Sequence, residues 1–179
     1  MKDWDGSLVP ARALAAAAGI QFEGLLAEVY RLRDKFGPDQ EKGYNEAIRR
    51  IARGGALSEA EERALLELGK RGFAVGTEAE FEKFIQYARD SYQRALRDPG
   101  TNPVALAILG VVSNYTVYPS PKGGRKAQVL AKSRHPVRDI LLGVAGGALG
   151  GLYSSGWNPI GGVVGGVVGG IVAGIKALC

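Results

Sequence analysis

The chain has 179 residues, 46% of them hydrophobic, with a formal net charge of +5 and a single cysteine at position 179. This composition excludes an intrinsically disordered chain and an internal disulfide framework, so the fold must rest on packing. The charge is unevenly placed: residues 1–120 carry 16 Lys/Arg against 17 Asp/Glu, whereas residues 121–179 carry 7 against 1.

The first residues place Asp3 and Asp5 where a secretory leader would be basic, so no cleaved targeting signal is expected. From Pro10 to Phe36-Gly37 the pattern predicts one long, kinked helix, with Leu14, Phe22, Leu25, Leu26, Val29 and Leu32 on its apolar side. A second helix is expected from Pro38 to about Arg53, with Tyr44, Ala47, Ile48 and Ile51 at helical spacing. "SEAE" at 58–61 and "TEAE" at 77–80 both have the form of a capping box and predict the starts of the third and fourth helices. Phe81, Phe84, Ile85, Ala88, Tyr92 and Leu96 define the buried face of the fourth, which "RDPGTNP" terminates. The segment 104–118 is apolar but interrupted by Ser113, Asn114 and Thr116, and is read as a buried or interfacial helix.

Beyond Ser120 the chain changes character. Residues 121–138 contain Lys122, Arg125, Lys126, Lys132, Arg134 and Arg138 without an acidic residue, and no charge occurs between Asp139 and Lys176. About 20 residues cross a hydrocarbon core as a helix, so Ile140–Trp157 and Pro159–Leu178 are read as two legs of a hairpin that turns at Asn158-Pro159. The fold class is therefore all-α: a soluble helical bundle over 1–120, a basic linker over 121–138, and a helical hairpin over 139–179 that spans or inserts into a membrane.

Within the hairpin, "GGVVGGVVGGIVAG" at 161–174 places Gly162, Gly166, Gly170 and Gly174 on one ridge, with Gly161, Gly165, Gly169 and Ala173 on the ridge beside it. The first leg repeats the plan with Gly143, Gly147 and Gly151. Small residues at this spacing let helix backbones approach closely, so Gly143, Gly147, Gly151, Gly162, Gly166, Gly170 and Gly174 are the expected helix-packing residues. Together with "GVAGGALGG" at 143–151, the pattern resembles the glycine-zipper hairpins of small two-helix membrane proteins and of pore-forming bacteriocins and toxins. The resemblance covers about the last 40 residues and implies close helix packing and oligomerisation in a bilayer.

The six basic residues are the expected contacts for anionic lipid headgroups, which puts the N-terminal part and the linker on the cytoplasmic side, with Tyr153 and Trp157 at the far interface. Marginal hydrophobicity suits a chain that is soluble first and inserts later. Nucleic acid is a poorer partner, because the basic stretch lacks interleaved aromatics and a reading motif. His135 has no second histidine beside it, so no metal is expected. No cofactor is expected, and catalytic motifs such as G-x-S-x-G, H-E-x-x-H or a P-loop do not occur. The resulting expectation is a non-enzymatic membrane-active protein whose hairpin inserts and oligomerises, as a pore-forming effector or toxin. One alternative is a structural subunit of a membrane or virion assembly that uses the hairpin as a packed anchor. Another is a soluble helical adaptor, which requires the valine face of the hairpin to be covered by the first 120 residues.

Overall fold

The computed structural model describes residues 9–115 and 136–178, with side chains given for 9–115 and 137–174. The described residues form helices throughout: α1 (Val9–Ala17), α2 (Phe22–Phe36), α3 (Gln40–Arg53), α4 (Glu59–Phe73), α5 (Glu78–Arg97), α6 (Pro103–Asn114), α7 (Pro136–Ser154) and α8 (Pro159–Leu178). The class is all-α, as the periodicity implies.

Local chemistry accounts for most of the boundaries. Ser58 accepts from the Glu61 N–H while the Glu61 carboxylate accepts from the Ser58 N–H at 2.7 Å, and Thr77 with Glu80 repeats the arrangement. Both predicted capping boxes are thus formed. The single long helix expected over residues 10–36 is instead two. Gly19 takes a left-handed conformation at φ 69°, and the Ile20 N–H returns to the Ala15 carbonyl at 2.9 Å, which closes α1 and lets the chain turn before α2. Leu96, expected on the buried face of α5, is half exposed, because α6 covers α5 only as far as Tyr92 and Ala95.

The position of the hairpin organises everything else. α7 is packed against α2, α3, α4, α6 and α8, and every residue from Ile140 to Leu152 is buried. α8 is covered by α7, α6, α1 and α2, and its Val164, Val168 and Val172 share a core with Ala11, Ala15, Phe22, Leu25 and Leu26. The larger core runs from Leu32 and Tyr44 through Ile108 to Leu141, Leu149 and Ala173. A boundary at residue 120 therefore runs through one shared core. The amphipathic helices of the first two thirds of the chain form a sheath whose apolar faces close on the hairpin and whose charged faces point outward.

Among the described residues, no helix is long and apolar enough to cross a membrane. In the sequence, freedom from charge is what gives the two legs spanning length. In α7 the glycines dilute the apolar residues, and the helix begins with Arg138 and Asp139 inside it.

Candidate functional site

Between α7 and α8, backbone packs directly on backbone. A Cβ added at Gly147 would run into the Gly165 carbonyl oxygen, one at Gly151 into that of Gly161, and one at Gly169 into that of Gly143. Hydrogens on these glycine Cα atoms point at the facing carbonyls, giving weak C–H···O contacts along with dispersion. Gly143, Gly147 and Gly151 thus lie along the face of α7 that meets α8.

On α8, however, the ridge that meets it is Gly161-Gly165-Gly169-Ala173. The neighbouring ridge faces side chains. A Cβ on Gly162 would come within 2.8 Å of Val104 Cγ2, and one on Gly170 would strike Val111, both on α6. At Gly166 a Cβ would find Ala148 Cβ at 3.6 Å, an ordinary contact, and at Gly174 it would find Tyr115 Cε2 at 3.9 Å. Expected helix-packing residues Gly162 and Gly170 thus admit side chains of α6 and α7 together, with Leu152 at 3.0 Å from a Cβ on Gly162 and Val144 Cγ2 at 2.9 Å from one on Gly170, and not the α7 backbone.

The same device operates in both directions across the sheath. Sheath side chains land on hairpin glycines: Gly146 receives Val29, and Gly150 lies against the Leu25 backbone. Hairpin side chains land on sheath glycines in return: Leu142 lies over Gly43, Leu141 over Gly72, and the Trp157 ring over Gly54. Sequence reasoning missed these three, since Gly43 and Gly72 are single glycines inside amphipathic helices and carry no periodic signal, and Gly54 reads only as a helix end. Another glycine, Gly69, makes room for the ring of Tyr44, which is fully buried and donates from its hydroxyl to the Leu65 carbonyl at 2.7 Å. Burial pushes the Tyr44 hydroxyl far above its ordinary range.

Polar ties fix the start of α7. At the start of α7, Asp139 accepts from Gln40 Nε2 at 2.9 Å and lies 3.7 Å from Arg33 Nη2, a favourable place for an anion in a first helical turn. Arg138, expected to reach lipid headgroups, instead donates from Nη2 to the Phe73 carbonyl at 3.1 Å, satisfying the C-terminal end of α4. Its Nε is buried without a hydrogen-bond partner. The other five basic residues named with it, Lys122, Arg125, Lys126, Lys132 and Arg134, and also His135 and Cys179, lie outside the described residues. Near the end of α6, burial and the charge of Asp139 push the Tyr115 hydroxyl up to about 12, and its ring meets Phe81 edge-on at 6.3 Å.

Two open grooves border α5. One, of about 270 Å³, lies between α4, α5 and α6, and the other, of about 250 Å³, between α4 and α5. Tyr87 lines both, with Arg71 stacked 4.3 Å from its ring centroid. In the first, Glu61 accepts from the N–H and Nδ2 of Asn102, and Thr101 donates to the Ala95 carbonyl. Among the described residues, no cluster of three His, Cys, Asp or Glu side chains is placed to hold a metal ion.

The chain matches no family model, no curated protein and no solved structure. The chemistry of the hairpin and its sheath is therefore the whole basis for a functional reading.

Proposed function

We propose that this chain is a non-enzymatic, membrane-active protein that carries its glycine hairpin as the core of a bundle and brings it to an anionic membrane surface through basic residues 122–134. The observation that carries the reading is the burial of α7 from Ile140 to Leu152 inside helices whose opposite faces are charged. Such a sheath keeps an uncharged hairpin compatible with water, and its apolar faces could be satisfied by acyl chains once the hairpin is released. Close packing of Gly147 and Gly151 on Gly165 and Gly161 is already used within the chain. Oligomerisation through that surface accordingly requires opening, and so does a pore. Nucleic acid plays no part in this reading.

A second reading, a helical scaffold or adaptor that never inserts, is favoured by the absence among the described residues of a helix long and apolar enough to cross a membrane. It is also favoured by the cover that α1 and α2 give to Val164, Val168 and Val172.

A tether between sheath and hairpin separates the two. A Cβ on Gly24 of α2 would lie 3.0 Å from Ser154 Oγ at the end of α7, a separation that suits a disulfide between cysteines at these positions. In a Cys179→Ser background, Gly24→Cys with Ser154→Cys should release dye from anionic vesicles when reduced and fall to background when oxidised. Equal release in both states would show that the hairpin stays sheathed. Absence of vesicle binding in both states would leave the scaffold reading in place of the membrane one.

A further inference from the structure

At the turn between α7 and α8 one aromatic ring sits on a bare piece of backbone, beside the Ser155 hydroxyl, which donates to the Asn158 carbonyl at 3.2 Å, and the Tyr153 side chain, which pairs with Arg50 of α3. α7 ends with the Gly156 N–H on the Tyr153 carbonyl at 3.4 Å and the Trp157 N–H on the Leu152 carbonyl at 2.7 Å, with Gly156 left-handed at φ 65°. The next residue, Trp157, is left-handed as well, at φ 66°, the one non-glycine residue with positive φ among those described. A bulky side chain in that region is an outlier that its surroundings must hold in place. Asn158 then caps α8 by accepting from the Ile160 N–H at 3.0 Å, with Pro159 at the first helical position.

What holds Trp157 is Gly54. This residue closes α3 at φ −76° and ψ −1°, a conformation open to any amino acid, so its backbone does not demand glycine. The ring does: a Cβ at 54 would collide with Cζ3, Cη2 and Cε3 of Trp157. Its neighbour Gly55 is the converse, with φ 83° and nothing within 4 Å of an added Cβ. Tyr153 completes the seat edge-on, 5.5 Å from the Trp157 centroid.

We infer that Trp157 on Gly54 is a latch: it clamps the hairpin turn to the C-terminal end of α3, and local opening of the hairpin begins when the ring leaves this seat. The opposite end of the hairpin is fastened differently, by Arg138 on the Phe73 carbonyl and Asp139 on Gln40 and Arg33. The turn also stores a left-handed tryptophan that is free to relax once unseated. Opening from the turn is therefore the easier route.

The test needs no lipid, so its outcome is separate from that of the membrane reading. Because the sequence has two tryptophans, Trp4→Phe leaves Trp157 as the sole reporter. In that background, Gly54→Ala keeps an allowed backbone and removes the seat. Expected results are a several-fold rise in acrylamide quenching of Trp157 and a roughly tenfold rise in amide exchange over residues 150–165, with α4, α5 and α6 unchanged. Trp157→Gly, which accepts φ 66° without strain but lacks the ring, should raise exchange over the same residues. Parental exchange in either variant would overturn the latch. So would a rise spread evenly over α3 to α6, since the seat would then be an undifferentiated part of the core.

Discussion

The α7–α8 interface and the contact between α3 and α4 are both buried, yet they are built in opposite ways. In the sheath, Tyr44, Ile48, Leu65 and Leu68 fill space with side chains that can adopt other rotamers. Between α7 and α8, Gly147, Gly151, Gly161 and Gly165 bring backbone against backbone, and nothing there can rotate aside. The sheath is weakened by taking atoms away; the hairpin is weakened by adding them. A chain that must keep an uncharged hairpin in water, and on the proposed reading later release it, combines an unyielding centre with a compliant cover.

The most severe way to break this comparison is a pair of alanine substitutions that act in opposite directions. Leu68→Ala, at a fully buried position, should cost about 2–5 kcal/mol by lost burial and a cavity. Gly165→Ala should cost about 1–3 kcal/mol or more, because a Cβ would strike the Gly147 carbonyl and only a backbone shift can relieve it. That loss should appear even though alanine is the better helix former by about 1 kcal/mol. Urea denaturation measures both. If Gly165→Ala is as stable as the parent, the two helices do not meet through their backbones.

A smaller effect is expected where the sheath is joined by polar groups. Partial burial pushes the Glu61 carboxyl up, but hydrogen bonds from Ser58 and Asn102 outweigh this and hold it below its ordinary value. A lowered folded pKa means stability that is present in full above the ordinary value near 4.5 and is lost as pH falls through the lowered one. Glu61→Ala should cost about 1 kcal/mol at neutral pH through the lost cap. Its deficit relative to the parent should shrink in melts taken at pH 3, where the parent carboxylate has begun to protonate. A deficit independent of pH would mean that the carboxylate charge does not tie α4 to α6.

Much of this architecture was legible from local patterns. Ser58-Glu61 and Thr77-Glu80 are read within four residues, and the apolar faces of α3 and α5 follow from a period of 3.6. The break at Gly19 was legible in principle, since a glycine followed by Ile20 after an alanine run is a common helix ending; the continuing apolar spacing across it masked the signal. What covers the hairpin was not legible, because an uncharged helix satisfies a lipid core and a protein core alike. Nor was the choice of ridge. Gly161-Gly165-Gly169 and Gly162-Gly166-Gly170 differ by one position and not at all in size, so only the packing itself, with the α7 backbone against one ridge and side chains of α6 and α7 against the other, tells them apart.

That one-residue distinction yields the smallest predicted effect and the sharpest test. Gly166 neighbours Gly165 in the same helix, is buried like it, and has the same Gly-Val context. Composition and hydropathy give no reason for the two to respond differently. Geometry does: an alanine Cβ at 166 would meet Ala148 Cβ at 3.6 Å and the Val144 carbonyl at 3.7 Å, both ordinary van der Waals separations. No atom must move. Gly166→Ala should therefore gain the helix propensity and lowered unfolded-state entropy of alanine, a stabilisation of up to about 1 kcal/mol. The denaturation midpoint should rise slightly with an unchanged slope, while Gly165→Ala lowers it. Stabilisation at 166 beside destabilisation at 165 would locate the backbone contact to a single ridge. Equal losses at both would mean that the helix is rotated about its axis from the orientation described, bringing both ridges tightly against the α7 backbone.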